Sequence, residues 1–165
     1  MGTGRLWMKR LLIVYHSQFG GTRQLAEAAL AGARSAAEVD AACVRAASAG
    51  VADLLQADAL VIATSENFGG MAGMTKDFLE RIYYPCGDRL AGRAYTVVIC
   101  AGNDGSGAMR DVDRVARGLG LRKVHPGLIH RTGALAQATI VPQDVLAATA
   151  ELAMTVAAGL AAGIY

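Results

Sequence analysis

Charge is scarce in this chain. Of 165 residues, 18% are Asp, Glu, Lys or Arg, the net charge is +2, and no block of Lys and Arg stands out. A surface for DNA or RNA needs a concentrated basic stripe, so composition argues against a nucleic-acid partner. Cysteine is sparse too: Cys43, Cys86 and Cys100 are odd in number and form no C-x-x-C pair. Neither a zinc centre nor a disulfide framework is signalled, no metal is expected, and reduced cytoplasmic thiols are the default. The residues before the first apolar run are polar and lack the apolar core of a signal peptide, with Met8 a second candidate start. The longest uncharged stretch, 152–165, falls short of the roughly 18–20 residues that span a bilayer, so a buried closing helix is expected there and no membrane span.

Apolar residues, by contrast, make up 53% of the chain. This leaves apolar surface for self-association, and a homo-oligomer is among the expected states. The length suits a single domain over 1–165, with 1–9 as an N-terminal extension.

Short β-branched runs alternate with helical patterns, the signature of β/α units around a parallel sheet. Strands are expected at 10–16, 38–45, 57–63, 93–100 and 121–129. Helices are expected at 22–36, 48–56, 74–83, 108–119 and 142–162, the first capped by Thr22. The fold class is therefore α/β: a three-layer sandwich with a five-stranded parallel sheet in the order 2-1-3-4-5. In such a sheet a ligand binds outside the carboxyl ends of the strands, where strand order reverses.

Three strands end in polar, Gly-rich breaks at that edge. The first, Ser17, Gln18, Phe19, Gly20, Gly21 and Thr22, offers hydroxyls and backbone N–H groups at a helix start, which suits a phosphate. The others are Thr64-Ser65-Glu66-Asn67-Phe68-Gly69-Gly70 and Ala101-Gly102-Asn103-Asp104-Gly105-Ser106-Gly107. The nucleoside-triphosphate motif G-x-x-x-x-G-K-[ST] is absent, and G-x-G-x-x-G does not follow the first strand; Gly102 to Gly107 spells G-x-x-G-x-G. A G-x-S-x-G hydrolase elbow is missing as well. A response-regulator-like module would need an acceptor aspartate where strand three ends in Ala63-Thr64-Ser65.

The segment Tyr15-His16-Ser17-Gln18-Phe19-Gly20-Gly21-Thr22-Arg23-Gln24-Leu25-Ala26 resembles the phosphate loop and following helix of the flavodoxin-like family of FMN-binding proteins. Residues 64–79 are similar to the flavin-ring loop of its NAD(P)H-dependent flavin and quinone reductase branch. Many relatives carry Pro and Tyr where this chain has Ser65 and Phe68. The resemblance extends over nearly the whole chain and implies FMN as cofactor. It assigns the phosphate to Ser17 through Thr22. Thr64 through Gly70 would serve the isoalloxazine, with Glu66 to Gly70 lining the ring through backbone groups. Ala101, Gly102, Asn103, Asp104, Gly105 and Gly107 would close the pyrimidine side. Glu66 and Asp104 are candidates for tuning the flavin potential.

Carriers of that family are typically acidic and stack aromatics on the flavin. This chain is slightly basic and only 5% aromatic, with Phe68 alone in the second loop. The reading favours an oxidoreductase that takes electrons from NAD(P)H and passes them through FMN to a small acceptor such as a quinone. The alternative is a flavodoxin-type electron-transfer protein served by a protein electron donor. His16, His125 and His130 receive no catalytic role. Cys86 is read as an inert thiol, Met71 and Met74 as packing residues, and Lys76 as either a snorkelling side chain or a contact for an anionic substrate.

Overall fold

A computed structural model describes residues 8–133 and 140–165; most of the expected N-terminal extension, 1–7, lies outside them. The first apolar run forms β1 (Lys9–Tyr15), in which Leu11 and Ile13 face one side while Leu12 and Val14 face the other, all four buried. A strand with no polar face must be covered on both sides. Helix α1 (Gly21–Arg34) and β2 (Val39–Arg45) follow, then α2 (Val51–Gln56), β3 (Ala59–Asn67) and the short β4 (Gly70–Met71). The chain continues through α3 (Gly73–Cys86), a 3-10 turn, β5 (Ala94–Ala101), α4 (Ser106–Gly118), β6 (Arg122–Lys123), β7 (Leu128–Arg131) and α5 (Gln143–Ala161).

The parallel strands lie in the order β2-β1-β3-β5, with β6 and β7 both on the outer side of β5. This is the expected 2-1-3-4-5 order with its last strand in two pieces. The interruption falls at Pro126, which has no N–H to give to a ladder. One layer packs Leu54 of α2, Phe78 and Ile82 of α3 and Val112 of α4 on the sheet; the other packs Leu25 of α1 and Leu152, Val156 and Leu160 of α5. Each fully buried aliphatic contributes about 1.5–3 kcal/mol. Among the described residues α5 alone is long and apolar enough to cross a membrane, and its buried side is spent on this inner layer.

Several boundaries shift by a few residues, and two of the differences bear on the cleft. β3 runs to Asn67 rather than ending at 63, because Met71 and Gly70 fold back antiparallel on Glu66 and Asn67 and supply the pairing partner. Thr22 is not the cap of α1; Gly20 is, and Thr22 is the second helical residue, almost fully buried.

Candidate functional site

The carboxyl ends of β1, β3 and β5 converge on a small open cleft. Ser17, Gln18, Phe19, Gly21 and Thr22 form one wall, Ser65, Glu66 and Asn67 a second, and Ala101 and Gly102 a third. Cys100 and Thr132 complete it, and both escaped the sequence reading. Cys100 is the last apolar residue before the third break, and Thr132 follows an edge strand whose pairing no local pattern reveals. Sheet register sets Ser65 opposite Cys100, and Cys100 opposite His130.

At the first wall Ser17 Oγ accepts the Gly20 N–H at 3.0 Å, holding Gly20 in the left-handed conformation, φ +95°, from which α1 starts. Gln24 ties this loop to the start of the last helix: its Nε2 donates to Gly20 O at 3.1 Å, and its Oε1 accepts the Val141 N–H at 3.1 Å. Among the described residues no side chain accepts from the first N–H groups of α1, and its first turn holds no acidic residue. The opening N–H groups of a helix have no partner within it, so the positive end of α1 is open for an anion.

At the second wall Thr64 is structural. Fully buried, its Oγ1 accepts from Thr75 Oγ1 at 2.8 Å and from the Ala72 N–H at 3.3 Å, which pins β3 to the start of α3. Phe68 and Gly69 form the two-residue hairpin tip at φ +52° and +76°, as a type I′ turn requires. The Phe68 ring is fully exposed, off the cleft wall. Ser65 Oγ, by contrast, is buried with no hydrogen-bond partner among the described residues. An unsatisfied buried hydroxyl costs about 1–3 kcal/mol, a cost that a polar ligand in the cleft could remove.

The third break packs on the second through a carboxylate. Glu66 Oε1 accepts the Gly105 N–H at 2.9 Å, and Oε2 accepts the Ala108 N–H at 3.1 Å, so Glu66 closes the N-terminus of α4. Asp111 Oδ2 accepts the Met71 N–H at 3.2 Å from one turn further along α4. Gly107 is obligatory at this contact, because a Cβ there would lie 1.8 Å from Gly69 O. Asp104 accepts from the backbone N–H and hydroxyl of Ser106. Asn103, Asp104, Gly105 and Gly107, with Gly20, Phe68, Gly69 and Gly70, adjoin the cleft without lining it.

Burial raises the Cys100 thiol above its ordinary range, partly opposed by its hydrogen bond with Thr22. Burial lowers His130 against the opposing pull of Asp144, and burial together with Arg45 lowers His16. Nothing here is an activated thiolate. Among the described residues no group of His, Cys, Asp and Glu could hold a metal ion. The cleft therefore presents a helix N-terminus and an unpartnered hydroxyl rather than an activated nucleophile.

The family model for flavodoxins matches residues 13–139. The chain belongs to the flavodoxin family. Solved structures show the same fold: a flavodoxin from the domain Archaea is 19% identical, with TM-score 0.76 over 93% of this chain and 99% of that one. A WrbA-like flavodoxin from Agrobacterium tumefaciens is 17% identical, with TM-score 0.73 over 94% and 98%. The flavodiiron protein from Giardia intestinalis is 16% identical, with TM-score 0.76 over 93% of this chain and 36% of that one. The cofactor of the family is FMN and its work is electron transfer. The residues of this flavodoxin fit that cofactor on two counts, the uncapped positive end of α1 and the unpaired Ser65 hydroxyl beside it in the same cleft.

Proposed function

We propose that this flavodoxin is an oxidoreductase that takes a hydride from NAD(P)H and passes electrons through FMN to a small acceptor such as a quinone. FMN, when bound, supplies hydride acceptance and electron release. Ser17 through Thr22 hold the phosphate at the start of α1. Ser65, Glu66 and Asn67 flank the ring through main-chain groups and the Ser65 hydroxyl. Ala101 and Gly102 close the opposite edge.

The exposed Phe68 carries this reading. It is the one aromatic of the ring-side hairpin, and it does not wall the cleft, so a planar donor can lie against the cofactor as hydride transfer requires. Loading the protein with FMN and adding NADH or NADPH anaerobically, without any partner protein, tests it. Rapid bleaching of the flavin is expected. Inertness toward both nucleotides, with reduction by a protein donor alone, replaces the proposal with the carrier reading. That second reading is favoured by a row of arginines on α4 that starts next to the cleft.

A further inference from the structure

One face of α4 is basic and unbalanced. Arg110, Arg114 and Arg117 recur at helical spacing, all three are exposed, and together with Ser106, Met109, Asp113 and Ile129 they line a shallow groove. None has a carboxylate within 4.0 Å among the described residues, whereas Lys123 beside them does, 2.7 Å from Asp113. The carboxylates of α4 are already engaged. Asp113 also accepts from Tyr95 Oη at 3.0 Å, and Asp111 accepts the Met71 N–H at 3.2 Å. Three guanidiniums thus share their groove with a single carboxylate, Asp113, which is already paired with Lys123, in a chain whose net charge is only +2.

The groove begins at Ser106, the first residue of α4, immediately after the third break. From there to Arg117 the helix advances about 16 Å, at about 1.5 Å per residue. That length is several times the size of one phosphate, and its side chains do not converge on a point. It matches a protein patch whose near end adjoins the cleft, since Glu66 of the cleft wall accepts the N–H of Gly105, the residue before Ser106.

We propose that this row docks an acidic redox protein, which meets the FMN at the Ser106 end of the groove. The arginines pair with carboxylates of the partner, while Met109 and Ile129 give the contact an apolar floor. In the reducing direction each encounter moves one electron from a reduced one-electron partner, such as an acidic iron–sulfur protein, to the flavin. Two encounters deliver the pair, and solvent supplies the protons. The inference rests on FMN as cofactor and is independent of NAD(P)H as donor.

The test mixes the FMN-loaded protein anaerobically with a reduced small acidic iron–sulfur protein and, separately, with a reduced small basic haem protein. Reduction by the acidic partner is expected to slow at least about tenfold between about 20 and 200 mM salt. Arg110→Glu, Arg114→Glu and Arg117→Glu combined should slow it as much at low salt, and the corresponding Gln variant should fall between, with FMN affinity unchanged in both. No reduction by the acidic partner, a salt-independent rate, a faster reaction with the basic partner, or an unaffected Glu variant would each overturn the proposal. So would a variant defect confined to the KM for NADPH, which would make the row a nucleotide site. Bleaching by NAD(P)H alone reports on the proposed function separately.

Discussion

Glu66 at the end of β3 caps a helix that begins 40 residues later, accepting the N–H of Gly105 at 2.9 Å and of Ala108 at 3.1 Å. Two helix N-termini therefore meet at this edge in opposite states. That of α4 is closed by the chain's own carboxylate; that of α1 meets no side-chain acceptor among the described residues, which is why the proposed phosphate site lies there.

Glu66→Ala should lower stability by about 1–2 kcal/mol, the ordinary worth of a helix cap, and reduce Tm by about 2–8 °C. Glu66→Gln, which keeps an acceptor, should lose less. Thermal unfolding of both variants without cofactor checks this, and equal losses would show that the acceptor role is not what matters.

Ser17→Ala should weaken FMN binding by about 10- to 100-fold, the worth of a hydrogen bond to a charged group. Riboflavin, which lacks the phosphate, should bind both proteins alike. Fluorescence titration with the two ligands separates a phosphate contact from general damage to the loop, since damage would weaken both.

Gly107→Ala forces a methyl group against Gly69 O and within 3.2 Å of Glu66 Oε2. The hairpin must then part from α4, at a cost of about 1–3 kcal/mol for overpacking. FMN affinity should fall together with stability, because the Glu66 carboxylate that the methyl crowds belongs to a residue of the cleft wall. A stable variant with unchanged affinity would contradict the role given to this contact.

Phe68→Asn places a residue tolerant of positive φ at the φ +52° position of the hairpin tip. Tm should rise by about 1–4 °C. FMN affinity should stay within about threefold, since the native ring is not part of the cleft wall. A large loss of affinity would mean that Phe68 closes over the flavin after all.

Acidification should destabilise the protein through His16 and His130. Both are lowered by burial from their ordinary 6.5, so below that value the unfolded chain binds protons that the folded chain refuses. Stability from these groups is complete above pH 6.5 and is lost as pH falls from 6.5 through their lower folded values. Urea unfolding from pH 8 to pH 5 should show a smaller decline in His16→Gln/His130→Gln than in the native chain.

The unbroken apolar run Leu11-Leu12-Ile13-Val14 made the first strand readable, because a strand buried on both faces tolerates no polar residue. The glycine breaks at 20–21, 69–70 and 102–107 were readable for the same local reason, and all three lie at one sheet edge. The hairpin at 66–71 was not readable as such: Phe68 is a poor residue for positive φ, and only the packing of Glu66 and Asp111 on α4 holds the turn there. Thr64 looked like a ligand and is instead a buried strut to Thr75, a distinction of side-chain direction that composition does not carry.

By itself the sequence determined the β/α alternation, the order of the sheet and the three breaks that face a ligand, since periodicity and glycine act over a few residues at a time. Tertiary structure alone decided which helix end stays open for an anion, which hydroxyl is left unpaired, and that three separate arginines form one unbalanced face. Those outcomes depend on groups tens of residues apart, and only the folded sheet brings them within hydrogen-bonding and Coulombic reach.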